Sequence, residues 1–447
     1  MSLFQKLNKN ALFKKALLDT NYYFLAQAGS KLLGLLIIPF LVRILSIEEF
    51  AHYDIFLMAA SIVTTLTVLG VDSGISVMIA DHKENQKLIN YLFSFSLLSS
   101  ISAVLLIWLI SVYLFPFVEK LSRIKQYLNY LFIYILFNLI SYQVFNFIRW
   151  MGKAKLASII GLISYCLGVI LGFCMIYFKQ NPTLVDYLYG ITIGNFIGAL
   201  ASLIISYKYI SMKWIPEFSL YLKELMKVSL PFVPNYIASN VMLMTDRLVV
   251  VSLLGEKSLG IYALANRFAQ IPNFGINIIT RGFQPVMYLN YKETNGSALI
   301  KKVYDYSHYA LIIMLPFMYF FATPIVKFFG GIKYYDSIPL IPIITMSAMV
   351  YGIMGLNGMG FTIQRKTYMI TIISILSILL NSSFNFMLGK FFGIKGIAIG
   401  VLLVSCIIGF IYSYESEKLF KFNYNLKSSA IIYSIIILIT TFLILYI

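Results

Sequence analysis

The chain has 447 residues, 60% of them hydrophobic and only 12% charged, with a mean hydropathy of +0.84. That balance excludes an ordinary soluble domain and describes an integral membrane protein. The formal net charge of +17 needs no nucleic-acid partner: with the N-terminus placed in the cytoplasm, most Lys and Arg outside the apolar segments fall on the cytoplasmic side, where they favour anionic lipid headgroups.

Residues 1–20 carry Lys6, Lys9, Lys14 and Lys15 among Leu and Phe without a short apolar core and cleavage site, and read as a cytoplasmic interfacial lead-in. Apolar segments then recur near 21–42, 52–72, 90–115, 127–148, 156–178, 185–209, 228–251, 260–286, 305–328, 338–361, 367–388, 394–414 and 429–447. Each is long enough, at about 1.5 Å per residue, to cross a hydrocarbon layer of roughly 30 Å. Strand-length alternation is absent, so the expected fold is all-α rather than a barrel.

Around the first two spans the sequence reads RILSIEEFAHY (43–53), and around the seventh and eighth SLLGEKSLGIY (252–262). Leu45 matches Leu254, Tyr53 matches Tyr262, and Ser46/Gly255 and Ala51/Gly260 are small pairs. The offset predicts two six-helix lobes, 21–209 and 226–415, in a pseudo-twofold arrangement about the membrane normal. Residues 210–225, with Lys213, Trp214, Pro216 and Lys223, read as a cytoplasmic linker, and 416–447 as a tail holding a thirteenth helix. Prolines 39, 231, 234, 272, 285, 316 and 324 mark expected kinks within spans.

Polar residues inside the spans carry the functional signal. Lys31, Arg247, Arg267 and Arg281 lie in apolar segments; at about 2.5 to 3.5 kcal/mol each near mid-membrane, four facing lipid would rival a domain's whole stability. Asn266, Gln270, Asn273, Asn277, Arg281 and Gln284 step by four, three, four, four and three, which puts them on one helix face and predicts a water-lined surface. Shorter stripes run through Asn235, Ser239, Met242 and Asp246; through Gln27, Lys31 and Gly34; and from Asp54 past Ser61 and Thr65 to Asp72. Asp246 and Arg247 are about 100° apart on a helix, so they are expected to have different partners and not to share one line into a cavity. Arg247 either pairs across helices or reaches an anionic ligand; the alternative is a mutual or interhelical salt bridge that holds the lobe together. Cys166, Cys174 and Cys406 read as structural thiols, and His52, His82 and His308 as surface or interfacial residues.

LLGLLIIPFLVRILSIEEFAHYDIF (32–56) and SLPFVPNYIASNVMLMTDRLVVVSLLGEKSLGIYALANR (229–267) resemble the polysaccharide-transport family of Wzx-type oligosaccharide flippases. The pattern is Leu230-Pro231, Asp246-Arg247, Leu254-Gly255, then Gly260-x-Tyr262. These proteins share a superfamily with multidrug and toxic-compound exporters and lipid II flippases, so the resemblance implies a MATE-like fold. It implies a transporter, not an enzyme, in the bacterial cytoplasmic (inner) membrane. The implied cargo is an undecaprenyl-diphosphate-linked oligosaccharide repeat unit of O-antigen or capsule, moved to the outer leaflet by alternating access. On that reading Lys31, Arg247, Arg267 and Arg281 meet the diphosphate and the Asn266, Gln270, Asn273 and Asn277 face meets the glycan. No cofactor is implied, only a proton or sodium gradient, with Asp54, Asp72 and Asp246 as coupling candidates. Implied partners are the lipid bilayer, the lipid-linked oligosaccharide, a polysaccharide polymerase and a chain-length regulator. Lipid II flipping, multidrug export and O-antigen polymerisation are the rivals; the external connections are short and hold no carboxylate pair or His motif suited to the last.

Overall fold

The computed structural model describes residues 28–446 apart from 69, 83, 115–121, 152, 212–217, 231–232, 243, 291–293 and 367. The elements in chain order are α1 (28–44), α2 (Ile47–Val68), α3 (Val71–Asp81), α4 (Gln86–Leu114), α5 (Ser122–Trp150), α6 (Ala154–Tyr177), α7 (Leu184–Ser206) and α8 (Phe218–Ser229). They continue with α9 (Val233–Met242), α10 (Thr245–Asn290), α11 (Thr294–Phe329), α12 (Leu340–Asn357), α13 (Met359–Ile363), α14 (Tyr368–Leu419) and α15 (Leu426–Tyr446). Ten helices among the described residues are long and apolar enough to cross a membrane. Their outward surfaces carry apolar side chains, such as Leu105, Leu106 and Leu109 on α4 and Ile313, Phe317 and Phe320 on α11; in water such patches would aggregate, whereas in lipid they are at home.

Two of the ten are folded back on themselves. α10 breaks at Gly255 (φ 81°, ψ −179°) and α14 at Gly393 (φ 58°, ψ −141°), left-handed or neighbouring backbone that a Cβ would strain. Around Gly393 the arms run antiparallel: a Cβ on Gly389 would touch Ile397, one on Gly396 would strike the Leu388 carbonyl, and one on Gly400 would meet Asn385. α10 closes the same way, with Tyr262 reaching back to Asp246. α14 therefore supplies two of the thirteen expected spans, whereas the seventh, expected at 228–251, is divided among the end of α8, α9 and the first arm of α10. Within α10 and α14 the sharp breaks fall at glycines, while Pro316 and Pro324 stay inside a continuous α11. Proline removes one hydrogen bond but keeps a helical φ, whereas these glycines reverse it.

The chain divides into two compact units, Met1–Leu45 with Ile55–Ile237, and Ser46–Asp54 with Ala238–Ile447. In the first unit α6 and α7 form an antiparallel pair joined by small residues. A Cβ on Gly190 would collide with Gly172, one on Gly194 with Gly168, and one on Gly198 with Ser164. The helix backbones approach as closely as they can, the usual means of associating helices where lipid removes the hydrophobic drive. A capping box at Thr183 and Asp186 starts α7. The stretch expected as a linker contains the start of α8, which buries Leu225 against α3.

The expected stripe from Asp54 to Asp72 is broken. α2 stops at Val68, and Gly70 (φ 68°) begins α3, so Asp72 stands on a separate helix. His308 also departs from its expected interfacial place: it is 1% exposed, its Nδ1–H donates to the Tyr304 carbonyl at 2.8 Å and its Nε2 accepts from the Tyr433 hydroxyl at 2.9 Å. This contact, with Tyr304 Oη donating to Ser429 at 3.0 Å, ties α11 to α15. The three cysteines are unpaired thiols.

Candidate functional site

The second unit contains the polar centre. Ser46 starts α2 with a reciprocal cap: its Oγ accepts the Glu49 N–H at 3.0 Å, and Glu49 Oε2 accepts the Ser46 N–H at 3.1 Å. The bare Cα of Gly260 lies against the Ile47 carbonyl, a contact a side chain would prevent. That close approach brings Tyr53 and Asp54 of α2 beside both arms of α10.

Four charged groups meet there. Arg247 Nε donates to Asp54 Oδ2 at 2.8 Å, and Arg267 Nη2 lies 3.6 Å from Asp54 Oδ1. Arg247 Nη1 is 3.7 Å from Asp246 Oδ1, while Asp246 Oδ2 accepts the Tyr262 hydroxyl at 2.6 Å. The Arg267 guanidinium sits 5.2 Å over the Tyr53 ring. Asp54 is 6% exposed, and the Arg247 and Arg267 side chains are 14% and 27% exposed. Burying each ion costs several kcal/mol, an amount that mutual attraction roughly returns; removing one partner then costs about 3–5 kcal/mol. The described cluster sums to zero charge, so Arg247 and Arg267 form a balanced network with Asp54 and Asp246, not the purely cationic surface that the arginines alone suggest.

A cavity of about 240 Å³ opens beside this network, bounded by α10, α12 and α14. Asp246 and Arg247 form its charged end. Asn266, Gln270 and Asn381 contribute amides, Ser347 and Tyr351 hydroxyls, and Met242, Ile344 and Val401 an apolar part. Asp246 and Arg247 have different principal partners, as expected, yet both line this cavity. The arginine is long enough to fold back towards its neighbour, so a 100° step in Cβ direction does not separate their ends.

The amide stripe is a connected ladder. Asn277 Nδ2 donates to Asn273 Oδ1 at 3.0 Å, Asn273 Nδ2 to Gln270 Oε1 at 2.8 Å, and Gln270 Nε2 to Asn266 Oδ1 at 3.3 Å. Asn266 and Gln270 reach the cavity; Asn273 packs against Gly352 of α12. Facing it, Asn381 Nδ2 donates to the Tyr351 hydroxyl at 3.0 Å and to the Ser377 carbonyl at 3.0 Å. Sequence reading passed over Tyr262, Tyr351 and Asn381 as site residues. Ser377, Asn381 and Asn385 step by four along one face, a signal available beforehand.

The remaining candidates are not gathered here. Lys31 is exposed on α1 and Asp72 accepts the Tyr142 hydroxyl at 2.9 Å, both in the first unit. The side chains of Arg281, Gln284, Asn235 and Ser239 and the whole of Gln27 lie outside the described residues.

A family model described as "Polysaccharide biosynthesis protein" matches residues 16–288, more than half of the chain and including the α2–α10 centre. The chain belongs to that family. No curated protein sequence matches it. Among solved structures, an inward-facing multidrug resistance MATE family transporter of the MOP superfamily superposes with a TM-score of 0.70 at 16% identity, over 92% of this chain and 96% of that one. A mutant of the Vibrio cholerae MATE transporter VcmN gives 0.66 at 18% identity, over 93% and 98%. An outward-facing MATE family transporter gives 0.64 at 15%, over 92% and 95%. The polysaccharide biosynthesis family member is thus a multi-pass membrane protein with the MATE fold.

Proposed function

We infer that this chain is a flippase that moves an undecaprenyl-diphosphate-linked oligosaccharide repeat unit from the cytoplasmic to the outer leaflet of a bacterial cytoplasmic membrane. Transport proceeds by alternating access and draws on a proton or sodium gradient. The observation that carries this reading is the composition of the second unit's cavity. Arg247 stands beside Asp246 at one end, where its guanidinium offers phosphate oxygens paired donors, and neutral amides and hydroxyls line much of the rest, as sugar hydroxyls require. At about 240 Å³ the cavity is smaller than the usual site for a drug-sized molecule, roughly 300–1,000 Å³, and suits a headgroup fragment whose polyprenyl tail stays in lipid. Membership in a polysaccharide biosynthesis family supports the same cargo.

The test is transbilayer movement of an undecaprenyl-diphosphate oligosaccharide in proteoliposomes, under an imposed proton or sodium gradient. Wild-type protein should accelerate flipping and Arg267→Ala should lose most of it. Absence of protein-dependent movement under both gradients would overturn the assignment. Parallel vesicles loaded with lipid II separate the two diphosphate-linked cargoes by their headgroups.

A further inference from the structure

We propose that the α5–α6 corner and the end of α7, in the first unit, form a binding site for the phosphate of an anionic phospholipid. Lys153 and Lys208 are its cations, Tyr209 is the ring that positions both, and Arg149 flanks them. The site is separate from the cavity of the second unit, and its occupant is a resident lipid of the bilayer, not the cargo.

After α7 the chain makes a single 3₁₀ turn, Tyr207–Tyr209. The Tyr209 ring is fixed from within: it meets Phe147 edge-on at 5.4 Å, Phe147 stacks on Phe93 at 4.0 Å, and the Ser211 N–H just beyond donates to Ser94 Oγ at 2.8 Å. Two lysines converge on this ring from different elements. Lys153, immediately before α6, donates from Nζ to Tyr209 Oη at 2.7 Å and lies 5.4 Å from the ring centre, distances that put the ammonium at the tip of the phenol and not over its face. Lys208 Nζ lies 5.2 Å from the same ring centre. At the end of α5 the Arg149 guanidinium sits 5.0 Å over the Trp150 ring, an arrangement that keeps its in-plane N–H donors for another partner.

Among the described residues none of these three cations has a carboxylate within ion-pair distance. Glu224 of α8 is engaged with His82 at 3.8 Å. At the opposite end of the α6–α7 pair the balance differs, because Lys179 is neutralised by Asp186 at 2.7 Å. One end of the pair is thus compensated by protein and the other awaits an anion from outside. Topology alone needs positive charge at a cytoplasmic end, but it does not need two ammonium groups gathered on one immobilised ring. Depth identifies the anion. Trp150 and Tyr207, 46% and 72% exposed, belong at the level where headgroups meet hydrocarbon. Along α7, Ile197, Leu200 and Ile204 step by three and four towards Tyr207 and are all exposed, which gives an acyl chain an apolar path to the cations. A phosphodiester supplies acceptors and one negative charge to the lysines, whereas a zwitterionic headgroup brings a cation that they repel.

The experiment is native mass spectrometry of the full-length protein in detergent, titrated with phosphatidylglycerol or phosphatidylcholine and read at the first lipid bound. Wild type should prefer phosphatidylglycerol by about fivefold or more. Lys153→Gln combined with Lys208→Gln should weaken phosphatidylglycerol binding roughly thirtyfold and remove the preference, whereas Lys153→Arg with Lys208→Arg should retain it. Lys421→Gln with Lys427→Gln, an equal loss of charge in the second unit, should leave the preference intact. A wild type without preference, a preference that survives the first glutamine pair, or one lost equally in the second pair would overturn the site. Glycerol phosphate that displaces the lipid at equal concentration would reveal a site for free phosphate, and undecaprenyl phosphate that outcompetes it would reassign the cluster to the cargo; either result overturns a resident phospholipid.

Discussion

The α6–α7 pair of the first unit and the α10–α12–α14 cluster of the second associate helices by opposite means. In the first, glycines let two backbones touch and leave no room for anything else. In the second, charged and amide side chains meet across the helices and leave a cavity of about 240 Å³. Dry contact gives rigidity at little chemical variety, whereas the polar cluster gives chemistry and must be electrically balanced to survive. On the proposed function, the second region is the one that handles the polar part of the cargo.

The largest expected effect comes from unbalancing the cluster. Arg247→Met should lower stability by about 3–5 kcal/mol in denaturant titrations of the purified protein, because Asp54 and Asp246 then face each other without their nearest cation. Adding Asp54→Asn to that variant should return a large part of the loss; a double variant less stable than the single would show that packing, not charge, holds the site. Next comes the glycine seam, where Gly194→Ala places a methyl against Gly168 and should cost about 1–3 kcal/mol with transport per folded molecule unchanged. The smallest effect belongs to the ladder: Asn277→Ala, remote from the cavity end, should change stability by only about 0.6 kcal/mol. If it nevertheless slows flipping of long glycans more than short ones, the ladder serves cargo as well as packing.

Much of this was legible in advance. Hydropathy located most of the spans because lipid imposes length and composition together, although the segment expected at 228–251 is divided among α8, α9 and the first arm of α10; the steps of four and three located the amide ladder. What the sequence could not supply was partnership. Asp54 and Arg247 are 193 positions apart, and nothing local in either indicates that Gly260 lets α2 approach α10. The small-residue spacing at Gly190, Gly194 and Gly198 is plain in the sequence, but its match with Gly168 and Gly172 is a property of the folded pair. His308 was misplaced for a related reason: an isolated histidine reveals nothing about depth, which α15 decides by supplying Tyr433. Ser46 and Gly255 occupy matching turns yet work differently, one by side-chain capping and the other by a positive φ.

The amide ladder of α10 has a direction: each member donates to the one before it, from Asn277 to Asn266. The sense is anchored at its far end, because Asn277 Nδ2 also donates to the Asn273 backbone carbonyl at 2.9 Å, an acceptor that an amide oxygen could not face. At the cavity end Asn266 Oδ1 accepts from Gln270, which leaves the Asn266 amide nitrogen as the outer donor of the row. The row therefore has one fixed polarity, imposed from Asn277 and expressed at the cavity by Asn266 and Gln270.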